Sequence, residues 1–163
     1  MRRALVAALV AASACGSAVA APPRAGVLVP GRALGGVHLR DTAEQVRTRL
    51  GHDYGVCRGC ATTTWYFTYK PFTQKGLAVE LTRGRVSAVY TVWQPDGWHA
   101  PKGLRLGTVE EQVNALAGPL VPLVCSGYDA LTRDDGAVRT AYYVLDGKLW
   151  GFGLLPRSAN PCR

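Results

Sequence analysis

The chain has 163 residues and a formal net charge of +8 at pH 7. Its positive charge is dispersed along the sequence, and only Lys70, Lys75, Lys102 and Lys148 are lysines. Scattered charge of this kind points to solubility and argues against nucleic acid as a partner.

The first segment reads as an export signal. Arg2 and Arg3 precede the short apolar run Ala4-Leu5-Val6-Ala7-Ala8-Leu9-Val10-Ala11-Ala12, and Ala18-Val19-Ala20 places small residues where a signal peptidase cuts. The expectation is a signal peptide over 1–20, a flexible N-terminal segment over 21–34 and a single domain over 35–163. The apolar run is shorter than the roughly 20 residues that span a bilayer, so no transmembrane segment is expected. Ala12-Ser13-Ala14-Cys15 offers a second reading, a lipobox with Cys15 lipidated, which would anchor the protein to a membrane. The expected location is secreted or extracytoplasmic.

Residues 36–51 then follow helical rules. Asp41 and Glu44 have the spacing of a capping box, Val46 and Leu50 lie one turn apart, and Gly51 stands at the helix end. A loop carries Cys57 and Cys60. Residues 65–69 are aromatic and favour a strand. Leu77, Val79 and Leu81 alternate with Ala78, Glu80 and Thr82, Arg83-Gly84 makes a turn, and Val86, Ala88, Tyr90 and Val92 alternate again, so this is a hairpin. The segment 94–102 contains Pro95, Gly97 and Pro101 and reads as a link. A second helix is expected over 108–117, with Thr108 and Glu111 as its box and Gly118-Pro119 as its stop. Strands follow near 128–132, 138–145 and 148–154, with Asp146-Gly147 turning the last hairpin.

These elements suggest a duplication. Residues 36–51 align with 103–118 without a gap at an offset of 67, and six of 16 columns are identical, Glu44-Gln45-Val46 and Glu111-Gln112-Val113 among them. The expected fold is therefore α+β, two tandem αβββ-like repeats over about 35–94 and 103–155, with helices packed on one face of an antiparallel sheet. The fragments 39–51 and 106–113 resemble repeats of the secreted β-lactamase inhibitor protein family and of the SmpA/OmlA-type outer-membrane-assembly lipoproteins. That resemblance implies a sheet whose other, often aromatic, face can bind another protein. It carries no inhibitory residue over, and fold alone does not transfer function.

Cleavage after Ala20 leaves Cys57, Cys60, Cys125 and Cys162, an even set that reads as disulfides in an oxidising compartment. Three pairings are possible. Cys57 and Cys125 follow Gly51 and Gly118 by six and seven residues. Local closure of each copy then pairs Cys57 with Cys60 and Cys125 with Cys162.

Other chemistry is weakly supported. Cys57-Arg58-Gly59-Cys60 lacks the helix that a thioredoxin-type thiol requires, and position 61 is alanine rather than the histidine of a haem site. His38, His52 and His99 form no ligand pair, and Ser126 has no nucleophile elbow. No catalytic residue, cofactor or metal is expected. The aromatics remain. Alternation sends Trp65, Phe67 and Tyr69 to one face and Tyr66 to the other. Trp65, Tyr66, Tyr69, Trp93, Trp98 and Trp150 are the candidate interaction surface, because aromatics are enriched at interface cores. The expectation is a secreted, non-enzymatic module that binds a protein through an aromatic sheet face. A structural or polysaccharide-binding envelope protein is the alternative, and an enzyme comes third. An acidic residue between exposed aromatics would favour sugar.

Overall fold

A computed structural model describes residues 26–68, 76–93 and 97–163. The signal-peptide and lipobox segments and Tyr69 lie outside the described residues. The chain runs β1 (Leu28–Val29), β2 (Ala33–Leu34), α1 (Ala43–Leu50), β3 (Gly55–Val56), β4 (Thr63–Thr68), β5 (Gly76–Thr82), β6 (Arg85–Val92), a 3-10 turn (Pro101–Gly103), α2 (Glu110–Ala117), β7 (Val121–Val124), β8 (Asp129–Asp135), β9 (Val138–Leu145) and β10 (Lys148–Pro156).

The α+β expectation of helices packed on a sheet in tandem αβββ-like repeats is corrected by this architecture, which is mostly β. Eight strands form one sheet in the order β3-β4-β5-β6-β10-β9-β8-β7, with each adjacent pair antiparallel. The two α-helices among the described residues have eight residues each. Each buries two hydrophobic side chains, Val46 and Leu50 in α1 and Val113 and Ala117 in α2. So short a stripe covers little of an eight-stranded sheet. The rest of the core over that face comes from pieces outside the eight-stranded sheet: Leu28 and Leu34 of the β1–β2 pair with Val37, and Trp98, Ala100 and Leu104 before α2. The flexible lead-in expected up to residue 34 is corrected in its described part, since β1 pairs with β2 and buries Leu28 and Leu34 completely.

Local chemistry explains the elements. The box at α1 is formed by Thr42 and Gln45, whose side chains each bond the other's backbone N–H. Asp41 instead accepts from the His38 N–H and pairs with Arg49. At α2 the N-cap is Val109, without a side-chain cap bond, and Thr108 donates back to the Arg105 carbonyl. The two hairpin turns fall where expected. Arg83 and Gly84 have φ of 52° and 73°, and Asp146 and Gly147 have 50° and 69°. Positive φ at both central residues matches the twist of the flanking strands.

Irregular pairing decides which side chains share a face. Glu80 pairs with Ala88 and Leu81 with Val86, which leaves Ser87 as an extra residue. Val86 therefore joins the helix-side core, whereas Ala88 and Tyr90 belong to the opposite face. Strict alternation would have put all three together. In β10, Leu149 pairs with Val144 and Gly151 with Tyr143, so Trp150 is the extra residue.

Candidate functional site: the sheet face turned away from the helices

The face opposite the helices has a floor of small residues. Ala78 (β5), Ala88 (β6), Gly151 and Gly153 (β10), Ala141 (β9) and Ala130 (β8) follow from the register. Aromatic rings rise around this floor: Tyr66, Tyr90, Tyr128, Tyr143 and Trp150. The glycines are there for clearance. A Cβ on Gly153 would collide with the Tyr143 hydroxyl oxygen, and one on Gly151 would lie 3.3 Å from the Tyr143 ring. Tyr143 thus lies across β10. Tyr128 meets Tyr143 and Trp150 edge-on, at centroid distances of 5.7 and 5.6 Å.

Residues 157–163 fold back over part of this face. The Tyr143 hydroxyl donates to the Pro161 carbonyl at 3.0 Å. Arg139 donates to the Ala159 carbonyl, and Arg157 pairs with Asp134. Asp134 also takes two hydrogen bonds from Arg139, and these hold its carboxyl below the usual carboxylate range. The Cys125–Cys162 disulfide ties the segment to the end of β7. Cys57 pairs with Cys60 within the β3–β4 loop. Each of the four described cysteines is bonded within its own half of the chain, as the placement of Cys57 and Cys125 after Gly51 and Gly118 led us to expect. Two disulfides fit an oxidising, extracytoplasmic compartment. No described helix is long and apolar enough to cross a membrane.

The segment's last side chain reaches farthest. Arg163 extends from beside Tyr128 to β5 and β6, where its Nε lies 3.6 Å from Glu80 Oε1 and its guanidinium 5.8 Å from the Tyr90 ring centre. Burial raises the Tyr90 phenol far above its ordinary pKa, and the nearby Glu80 charge and Tyr66 add to the effect. Burial likewise raises Tyr143. Both rings are therefore neutral donors at any physiological pH.

The six candidate aromatics separate. Trp65 and Trp98 are corrected to core residues, at 6% and 1% exposure. Trp65 stacks on Tyr54 at 4.2 Å with the Arg47 guanidinium over its ring at 4.8 Å, which accounts for it as packing. Tyr66 and Trp150 lie on the face opposite the helices, both half-buried. The Trp150 Nε1 is buried with no hydrogen-bond partner among the described residues. Trp93, just past β6, is 60% exposed. Sequence reasoning left Glu80, Tyr90, Tyr128, Tyr143 and Arg163 out of the site. Alternation in β5 already put Glu80 beside Ala78, and two glycines in Trp150-Gly151-Phe152-Gly153 hinted at a ring lying across the strand. Nothing local in the sequence points to Arg163.

No protein-family model matches the chain, and no curated protein does. Among solved structures it is similar to a DUF4309 family protein, YjgB, from Bacillus subtilis subsp. subtilis str. 168. The TM-score is 0.53 at 15% identity, over 72% of this chain and 79% of that one. It is also similar to an extracellular protein containing a SCP domain from Bacillus anthracis str. Ames. There the TM-score is 0.52 at 9% identity, over 73% of this chain and 44% of that one. At such identities the likeness concerns the fold alone. Neither is described as a β-lactamase inhibitor or an assembly lipoprotein.

Proposed function

We propose that this protein is a secreted, non-enzymatic binding module that meets a protein partner through the sheet face turned away from the helices. One observation carries the reading. A floor of small residues is rimmed by tyrosines on both halves of the sheet, and the chain's own peptide segment lies on it, bonded through main-chain carbonyls to tyrosine hydroxyls. A surface that accommodates a peptide internally has the shape and the donors to accommodate another. Tyrosine suits such a surface, because it offers a rigid ring and a polar tip at low entropic cost.

Polysaccharide is the second reading, and Glu80, on the same face as Tyr66 and Tyr90 and one row along from the Tyr66–Ala78–Tyr90 row, favours it. Glu80 is engaged by Arg163, however, which leaves less of it for sugar hydroxyls.

The test is capture from culture fluid and envelope with Tyr66→Ala/Trp93→Ala compared with Gln112→Ala on α2. The reading expects a captured protein that the double variant loses and the α2 variant keeps. Equal capture by both would refute it. Retention on insoluble polysaccharide that depends on Tyr66 would shift the reading to sugar.

A further inference from the structure

Resting on that reading, we propose that Glu80 and Tyr90 form a guanidinium subsite, that Arg163 fills it as an internal ligand, and that the partner enters by replacing Arg163 with an arginine of its own.

Three observations converge. First, the corner has the chemistry of a planar cation site. The Glu80 side chain is 16% exposed and its carboxylate faces the Arg163 guanidinium, with the Tyr90 ring alongside. A carboxylate beside an aromatic ring suits a flat, weakly hydrated guanidinium better than a compact ammonium. Glu80 and Tyr90 sit on adjacent strands of the same face, Glu80 paired with Ala88 and Tyr90 with Ala78, so the backbone holds carboxylate and ring together before any cation arrives. Second, the corner requires a cation. A carboxylate this enclosed is costly unless paired, so departure of Arg163 leaves a site that selects a replacement of the same charge. Third, Arg163 is placed to exchange. It lies beyond Cys162 and therefore outside the loop closed by Cys125–Cys162. Its ion pair, at 3.6 Å, lacks the two short bonds of a bidentate arginine–carboxylate pair. Residues 157–161 keep their own anchors on Asp134, Arg139 and Tyr143 when Arg163 swings away. No covalent bond has to break.

The subsite also gives the face polarity. The covered half, β8 to β10, is occupied by the chain's own segment, whereas Arg163 alone of that segment makes a described contact on β5 and β6. A partner would dock along β4 to β6, with Tyr66 beside it and its arginine at Glu80.

The experiment is an NMR titration of the full chain, wild type and Arg163→Ala, with N-acetylarginine amide. N-acetyllysine amide and N-acetylcitrulline amide serve as the ammonium and the neutral isostere. The expected result is arginine-dependent shifts centred on the amides of Glu80, Tyr90 and Tyr66 in R163A, with affinity about tenfold above wild type because the internal competitor is gone. Lysine binds less tightly, citrulline does not bind, and Glu80→Gln in the R163A background loses the arginine response. Equal affinity in wild type and R163A would overturn the proposal, as would equal binding of citrulline or shifts confined to other surfaces. R163A is the decisive variant, because its changed side chain lies outside the core. If that titration fails while capture still depends on Tyr66 and Trp93, the guanidinium subsite falls and the binding face stands.

Discussion

The two halves of the sheet are built alike and finished differently. In β3 to β6 and in β7 to β10 a short edge strand leads into three antiparallel strands, and β6 meets β10 at the centre. The difference lies in what each disulfide encloses. Cys57 and Cys60 are three residues apart and close a tight ring in a loop. Cys125 and Cys162 are 37 apart and fasten residues 157–163 over the face of their half. One half is thereby covered by the chain itself, whereas on the other half Arg163 alone of that segment is seen to meet Glu80 and Tyr90, and Tyr66 stays half-exposed. Similar strand patterns can thus carry unlike surfaces, and the longer covalent loop decides which half is covered.

The largest expected effect breaks that difference outright. Cys125→Ser/Cys162→Ser should cost about 3–4 kcal/mol and Cys57→Ser/Cys60→Ser about 2, because the longer loop restricts the unfolded chain more. Urea denaturation measures both. Hydrogen exchange should show residues 157–163 losing protection in the first variant only. Equal costs would contradict the assignment of unequal roles.

Gly153→Ala comes next. Its new Cβ would strike the hydroxyl of a buried tyrosine that is held by Pro161, so the ring has little room to yield. A loss of about 1–3 kcal/mol is expected, together with loosening of the covering segment. A neutral result would mean that Tyr143 does not lie across β10.

Tyr143→Phe should cost about 1 kcal/mol by leaving the Pro161 carbonyl without its donor. Tyr66→Phe, on the other half, should stay within about 0.5 kcal/mol. The pH dependence sharpens the contrast. The folded pKa of Tyr143 lies above its unfolded value, so its contribution is intact below about pH 10 and lost as pH rises further. Tyr143→Phe should flatten that alkaline loss. Tyr90 and Tyr142 are raised in the same sense by burial, so Tyr90→Phe should flatten only part of what remains.

The smallest effect is acidic. The folded pKa of Asp134 is depressed, chiefly by its hydrogen bonds from Arg139. Its contribution is present above the ordinary aspartate pKa and is lost as pH falls through the folded value. Asp134→Asn should remove that small acid-side slope without moving the alkaline one, as denaturation profiles at low ionic strength would show.

Much of this is legible in the sequence. Dipeptides such as Arg83-Gly84 and Asp146-Gly147 mark their turns by backbone preference alone, and cysteine placement relative to two helix ends marks the pairing. The rest depends on tertiary context. β3 has two residues, and β7 reads Val121-Pro122-Leu123-Val124, with a proline and no alternation, so neither announces a strand. The helices look substantial in sequence because their periodicity is clean, yet eight residues bury only one short stripe each. Trp98 lies between glycine- and proline-bearing segments that read as a link, and only the packed structure reveals it as core. In the site, alternation places Tyr66 on the correct face. Glu80 is visible as an alternating polar residue but gives no sign of a partner 83 positions away.

The measurement that bears most directly on the binding face is site-specific photo-crosslinking in the native secretion host. A photoreactive amino acid replaces Tyr66 on the open half, Thr132 on the covered half or Asn114 on α2, each in otherwise unchanged protein. The proposed face predicts a discrete cross-linked protein from position 66, stronger in an R163A background, and none from 132 or 114. Cross-linking from position 114 with position 66 silent would place the interface on the helices and contradict it.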